Sequence, residues 1–175
     1  MPDEQNISRF ERLLLPHLDA AYNLARWLTR DEHDAADVVQ EACLRAYKYF
    51  GRFHGEDGRV WLLKIVRNTC CTWLKQNRPA DLVPLADEQL PTADCGVSAP
   101  DARAYAEERR RLLHEAISEL PAEYREAVVL RELEGLSYKE IASIADVPMG
   151  TVMSRLSRAR ERLHERLGGV LGGES

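Results

Sequence analysis

Apolar residues recur at intervals of three and four along nearly the whole chain, and nowhere do they alternate with polar ones over a useful length. That periodicity predicts an all-α protein. Leu14, Leu18, Ala21, Ala25 and Leu28 form one stripe, which Pro16 divides into a short first helix and a longer second one. Asp31 and Asp34 offer caps for a helix reaching about Phe50, with Val38, Val39, Ala42, Ala46 and Tyr49 on its core side. Three glycines between Gly51 and Gly58, with Phe53 and His54 among them, suit a loop. A further helix spans about Arg59 to Asn77, its buried stripe being Leu62, Ile65, Val66, Thr69 and Trp73.

The stretch from Pro79 to Asp101 breaks this pattern. It holds Pro79, Pro84, Pro91 and Pro100 and five acids, without Lys or Arg, and reads as a flexible acidic linker. Beyond it, one helix reaches about Glu119, and Pro121 takes an early position in another that ends before Gly135. The expected organisation is therefore two small helical domains: residues 1–78, a linker over 79–101, and a four-helix domain over 102–175. Gly168-Gly169 and Gly172-Gly173 mark a frayed tail.

That last domain holds the most specific motif. Ser137 with Glu140 is a capping-box signature that opens a helix whose buried side is Ile141, Ala142, Ile144 and Ala145. Asp146 to Met149 break it, and a second helix opens near Gly150-Thr151. Val152, Leu156, Ala159 and Leu163 are its apolar stripe, and Met153, Ser154, Arg155, Ser157, Arg158, Arg160 and Arg162 cover the rest. This is a helix-turn-helix whose second helix can read base edges near its N-terminus and grip phosphates farther along. An amphipathic helix with a solvated basic face has the same pattern.

The chain carries 24 Lys and Arg against 29 Asp and Glu, a net charge of −5. Acidity overall does not exclude DNA binding, because the basic residues are gathered on particular helices. On the helix before the linker, Lys64, Arg67, Asn68, Cys71 and Lys75 share one face, next to Phe53, His54 and Trp61. Basic side chains beside aromatic surface suit single-stranded nucleic acid, although a solvated helix face fits the spacing equally. The preceding helix exposes Asp37, Gln40, Glu41, Leu44 and Lys48, a polar face around one apolar residue that suits protein docking.

No apolar run approaches a membrane span, and the acidic N-terminus is unlike a secretory signal, so a cytoplasmic protein is expected. Cys43, Cys70, Cys71 and Cys95 fit no metal-ligand spacing. Cys43 reads as a small core residue, and the adjacent Cys70 and Cys71 as one inward and one outward side chain. No glycine loop for phosphate and no nucleophile with a base is present, so no catalytic residue, cofactor or metal is expected.

Taken in order, Asp37 to Tyr47, Trp61 to Thr69, and Leu130 to Tyr138 with Gly150 to Arg155 resemble three segments of the bacterial sigma factors of the extracytoplasmic-function group. The resemblance implies that Asp37, Gln40, Glu41 and Leu44 bind core RNA polymerase. It further implies that Phe53, His54, Arg59, Trp61, Lys64, Arg67 and Asn68 bind the melted −10 element. Thr151, Met153, Ser154, Arg155, Ser157, Arg158, Arg160 and Arg162 would bind the −35 duplex. Met153 stands where several relatives carry arginine. Core RNA polymerase, promoter DNA and an anti-sigma factor are the implied partners, and a non-catalytic promoter-specificity subunit the implied role. The alternatives are a sigma-like decoy that sequesters an anti-sigma factor, and a stand-alone helix-turn-helix regulator.

Overall fold

The computed structural model describes residues 4–79 and 102–171, and every regular element among them is helical. The linker expected over 79–101 lies, apart from Pro79, outside the described residues, as does Cys95.

Helix α1 (Glu4–Leu14) passes through a 3-10 turn (Leu15–His17) into α2 (Leu18–Thr29). Pro16 accounts for the break expected there, since it lies in the first turn of the short segment, where a missing N–H costs nothing. Arg30 ends α2 in the left-handed region at φ 63°, and its N–H returns to the Arg26 carbonyl at 2.9 Å. Asp31 then caps α3 (Glu32–Tyr49) by accepting from the backbone N–H groups of His33 at 2.8 Å and Asp34 at 3.0 Å. A 3-10 turn (Phe50–Arg52) and a loop lead to α4 (Gly58–Asn77), capped by Asp57.

Alanines let these helices approach closely. Ala21, Leu24, Ala25 and Leu28 of α2 meet Ala35, Val38, Ala42 and Ala46 of α3, with Leu62, Leu63, Val66 and Cys70 of α4 completing the core. The expected stripes of α3 and α4 differ in part from the buried faces. Tyr49 is exposed and Phe50 is buried in its stead, continuing the four-residue spacing of Val38, Ala42 and Ala46. On α4, Ile65 and Trp73 are only half-buried, whereas Leu63, Cys70 and Leu74 are fully covered. A single stripe understates α4, which is covered by α1, α2, α3 and α7 at once.

In the second half, α5 (Ala102–Ser118) precedes α6 (Ala122–Val128), for which Pro121 serves as N-cap. A π-helical turn (Val129–Leu133) follows, closed by the Glu134 N–H on the Val129 carbonyl at 3.0 Å. Gly135, at φ 68°, makes the exit that a side chain would strain. Helix α7 (Tyr138–Ala145) begins with the capping box foreseen: Glu140 N–H donates to Ser137 Oγ at 3.2 Å, and Ser137 N–H to Glu140 Oε2 at 2.7 Å. Asp146 ends it at φ 55°. Helix α8 (Met149–Leu171) buries Val152, Leu156 and Ala159 against Ile141 and Ile144. It runs on through Gly168 and Gly169, past the point where fraying was expected. Arg166, paired with Glu119 in the turn just after α5, anchors this end.

The two halves do not stand apart. Helix α4 packs on α7, α2 packs on α6 and the π-turn, and the buried side chains of both halves form one continuous cluster. The rings of Trp27 on α2 and His114 on α5 lie 4.5 Å apart.

Candidate polymerase and nucleic-acid interfaces

Helix α3 turns Ala35, Val38, Ala42 and Ala46 inward, which places Asp37, Gln40, Glu41 and Leu44 together on its outer face. All four are exposed. Leu44 is 61% accessible, a large apolar side chain in a ring of polar ones, and Glu41 is held by Arg45 one turn on at 2.9 Å.

The loop before α4 is organised by aromatic packing. Phe53 stacks on Trp61 with ring centroids 4.6 Å apart, and Phe10 meets Phe50 edge-on at 5.2 Å. Arg9 lies over the Phe50 ring and donates to the Phe53 carbonyl at 3.3 Å. Gly55 is packed so closely that a Cβ there would come within 2.9 Å of the Phe53 ring. The structure thus brings Phe53 and Trp61 together, half-buried, with His54 exposed beside them. Along α4, Asn68 is exposed and Lys64 half-exposed on the outer face.

Arg59 and Arg67 have partners that the sequence reading missed. Arg67 Nε donates to Glu126 Oε1 of α6 at 2.7 Å, and Arg59 donates to both the carbonyl and the carboxylate of Glu134. Asn23 of α2 donates to the same Glu134 carboxylate at 2.7 Å. Glu126 is only 4% accessible. Desolvation raises its pKa, against the pull of Arg67. For Arg67, burial is the largest influence and favours the neutral form, but the charge and hydrogen bond of Glu126 together outweigh it and hold the guanidinium pKa up. A signal existed in the sequence: Glu123 and Glu126 stand in an acid-rich stretch ahead of the basic helix.

Helix α8 divides its predicted readers into two groups. Met153, Ser154, Ser157 and Arg158 are exposed near its N-terminal end, with Thr151 half-buried and accepting from Ser154 Oγ at 3.0 Å. Arg155 turns toward α6 and is 17% accessible, 3.7 Å from Glu123. Arg160 donates to Glu132 at 2.8 Å, and Arg162 lies over the Tyr124 ring. Three of the arginines are therefore engaged within the helical unit, and Arg158 presents its charge outward.

Family comparisons align with these two units. The model described as Sigma-70 region 2 matches residues 13–79, and that described as Sigma-70, region 4 matches residues 110–163. The ECF RNA polymerase sigma-E factor of Haemophilus influenzae is 37% identical over 151 residues, covering 82% of this chain and 79% of the relative. The chain belongs to the sigma-70 family, in its extracytoplasmic-function group. The RNA polymerase sigma-H factor of Pseudomonas aeruginosa is 34% identical over 165 residues, 90% of this chain and 86% of that one. Among solved structures, the sigma factor RpoE in complex with the anti-sigma factor NepR from Bartonella quintana superposes with a TM-score of 0.68 at 29% identity, covering 91% of this chain and 97% of that one. CnrH, solved with the cytosolic domain of CnrY, gives 0.62 at 25% identity over 95% and 89%.

Within this sigma factor the three described cysteines are apolar in behaviour. Cys70 is fully buried and Cys71 half-buried, the inward and outward pair expected, and Cys43 is half-buried on α3. Burial raises the pKa of all three thiols, which disfavours the reactive thiolate. Among the described residues, no cluster of His, Cys, Asp and Glu could hold a metal ion, and no helix is long and apolar enough to cross a membrane.

Proposed function

We propose that this sigma factor acts in the cytoplasm as a non-catalytic promoter-specificity subunit, binding core RNA polymerase through Asp37, Gln40, Glu41 and Leu44 on α3. Residues of the aromatic loop and α4, namely Phe53, His54, Arg59, Trp61, Lys64, Arg67 and Asn68, receive the opened −10 strand. Helix α8 contacts the −35 duplex, with Ser154, Ser157 and Arg158 at base edges or phosphate. The observation that carries this reading is the geometry of α7 and α8: a capped first helix, a left-handed turn at Asp146, and a second helix whose buried stripe leaves Ser154, Ser157 and Arg158 pointing outward together. Aromatic and basic surface before and along α4 is suited to unstacked bases and their phosphates. An anti-sigma factor is the expected regulatory partner, as in the complex of RpoE with NepR.

Run-off transcription with core polymerase on a fragment library of the host genome tests the proposal. Initiation from a subset of fragments is expected, whereas core binding without initiation at any of them would defeat it and favour a decoy. Asn68→Ala should lose permanganate-detected strand opening while keeping duplex binding, and Arg158→Ala should weaken duplex binding itself.

A further inference from the structure

Met1 apart, the chain has two methionines, Met149 and Met153, and both stand in the first two turns of α8. Neither is used in the core. They are 45% and 46% accessible, and neither belongs to the buried cluster or to the apolar side chains packed against it. Four residues apart, they lie on one side of the helix. The helical step of about 100° per residue places them along one edge of the face that Val152, Leu156 and Ala159 leave outward. Arg158 marks the opposite edge, with Ser154 and Ser157 between, all three exposed. Gly150 lies in the same face. A Cβ there would meet nothing within 4 Å, and its φ is not in the left-handed region, so the fold itself does not require glycine. A bare position at the head of a helix, where most residues are better helix formers, leaves room for another surface to approach the backbone.

We propose that Met149 and Met153 read thymine by its C5-methyl group: in the major groove of the −35 duplex they pack on the methyls of one or two A·T pairs, while Ser154, Ser157 and Arg158 take polar edges and phosphates. The inference rests on the assignment of α8 to the −35 duplex. Thymine alone presents a methyl in that groove, so an apolar side chain there selects thymine where arginine would select guanine and asparagine adenine. A thioether chain suits the contact, being unbranched, polarisable and adaptable in shape. The two side chains are separated by about 6 Å along the helix axis, nearly two base steps of about 3.4 Å. The methyls they reach therefore belong to base pairs close together in the −35 element.

The test uses holoenzyme reconstituted from the full chain and core polymerase, on a promoter fragment recovered by run-off transcription. Each thymine around position −35 of the mapped start, on either strand, is replaced in turn by deoxyuridine, which removes the methyl and keeps every hydrogen-bonding group. Wild-type binding should weaken about fourfold at one or two positions, the value of one buried methyl. Met149→Ala/Met153→Ala should bind the thymine duplex as weakly as wild type binds the duplex with uracil at those positions, and should lose nothing further to uracil. Both side chains are exposed and alanine is the better helix former, so the variant should keep the wild-type Tm. Should it fail to fold, Met153→Gln, similar in length but polar, still reports by losing the uracil penalty at one position. The proposal is overturned by a −35 element of G·C pairs alone, by full wild-type affinity for every uracil duplex, or by a uracil penalty that these variants retain. A chain that initiates normally and fails these comparisons keeps its proposed function and loses only the thymine contact, whereas a chain that initiates at no fragment loses both.

Discussion

Asp31 shows how one side chain can fix both an element and its response to pH. Its carboxylate accepts two backbone N–H groups at the head of α3, and the bond from Asp34 is the main influence holding its pKa below the usual aspartate value. A carboxylate lowered in the folded state contributes stability above its unfolded value, about 3.9, and loses it as pH falls through the folded one. Asp31→Ala should therefore unfold at lower urea than wild type at pH 7, and the gap should narrow progressively below about pH 4. A gap that stays constant over that range would assign the effect of Asp31 to helix propensity and not to its charge. The Ser137 cap carries no charge, so its loss should be insensitive to pH. Ser137→Ala removes one arm of the capping box and should cost about 1 kcal/mol, seen as a fall of about 2–4 °C in Tm.

At the scale of elements, the seat of α4 depends on a missing side chain. Gly58 occupies the first turn of α4, and a Cβ there would lie 2.4 Å from the Leu13 carbonyl oxygen at the end of α1. Alanine is the better helix former by about 1 kcal/mol, but a backbone oxygen cannot swing aside as a flexible side chain can. Gly58→Ala should accordingly destabilise by about 1–3 kcal/mol in chemical denaturation, and a rise in stability would show that α1 moves freely against α4. Nothing in the sequence marks this contact, since Gly58 reads there only as the end of a glycine-containing loop. Caps and stripes were legible because they are local: Asp31, Ser137 with Glu140, and Val152 with Leu156 and Ala159 are set by spacing within one helix. The π-turn after α6 was not, because Val129 to Leu133 continue an apolar run that an ordinary helix would satisfy equally. The partners of Arg59 and Arg67 were hidden for a related reason. Glu134 and Glu126 lie far away along the chain, and only the docking of two units brings them near.

Over the whole molecule, the continuous core makes a claim about cooperativity. Two domains joined only by a tether unfold independently, whereas Leu24, Leu63, Val128 and Ile144 belong to one buried cluster that spans both halves of this chain. Each half, at roughly 70 described residues, would absorb about 50 kcal/mol on unfolding, and the joined unit about 100 kcal/mol. Calorimetry of the wild type should therefore give a single transition whose van't Hoff enthalpy matches the calorimetric one. Arg59→Ala/Arg67→Ala removes the two charged ties between α4 and the second unit and leaves Glu126 buried without its guanidinium, a costly state for a carboxylate. The molecule has an escape that a single-core protein lacks, because separating the units returns Glu126 to water. Its cost is thus capped at the free energy of docking, and the variant should show two overlapping transitions with a van't Hoff enthalpy near half the calorimetric value. Two transitions already present in the wild type would mean that the halves touch without stabilising each other. A single transition in the variant, shifted to lower temperature, would mean that apolar packing between α4 and α7 suffices to keep the molecule closed.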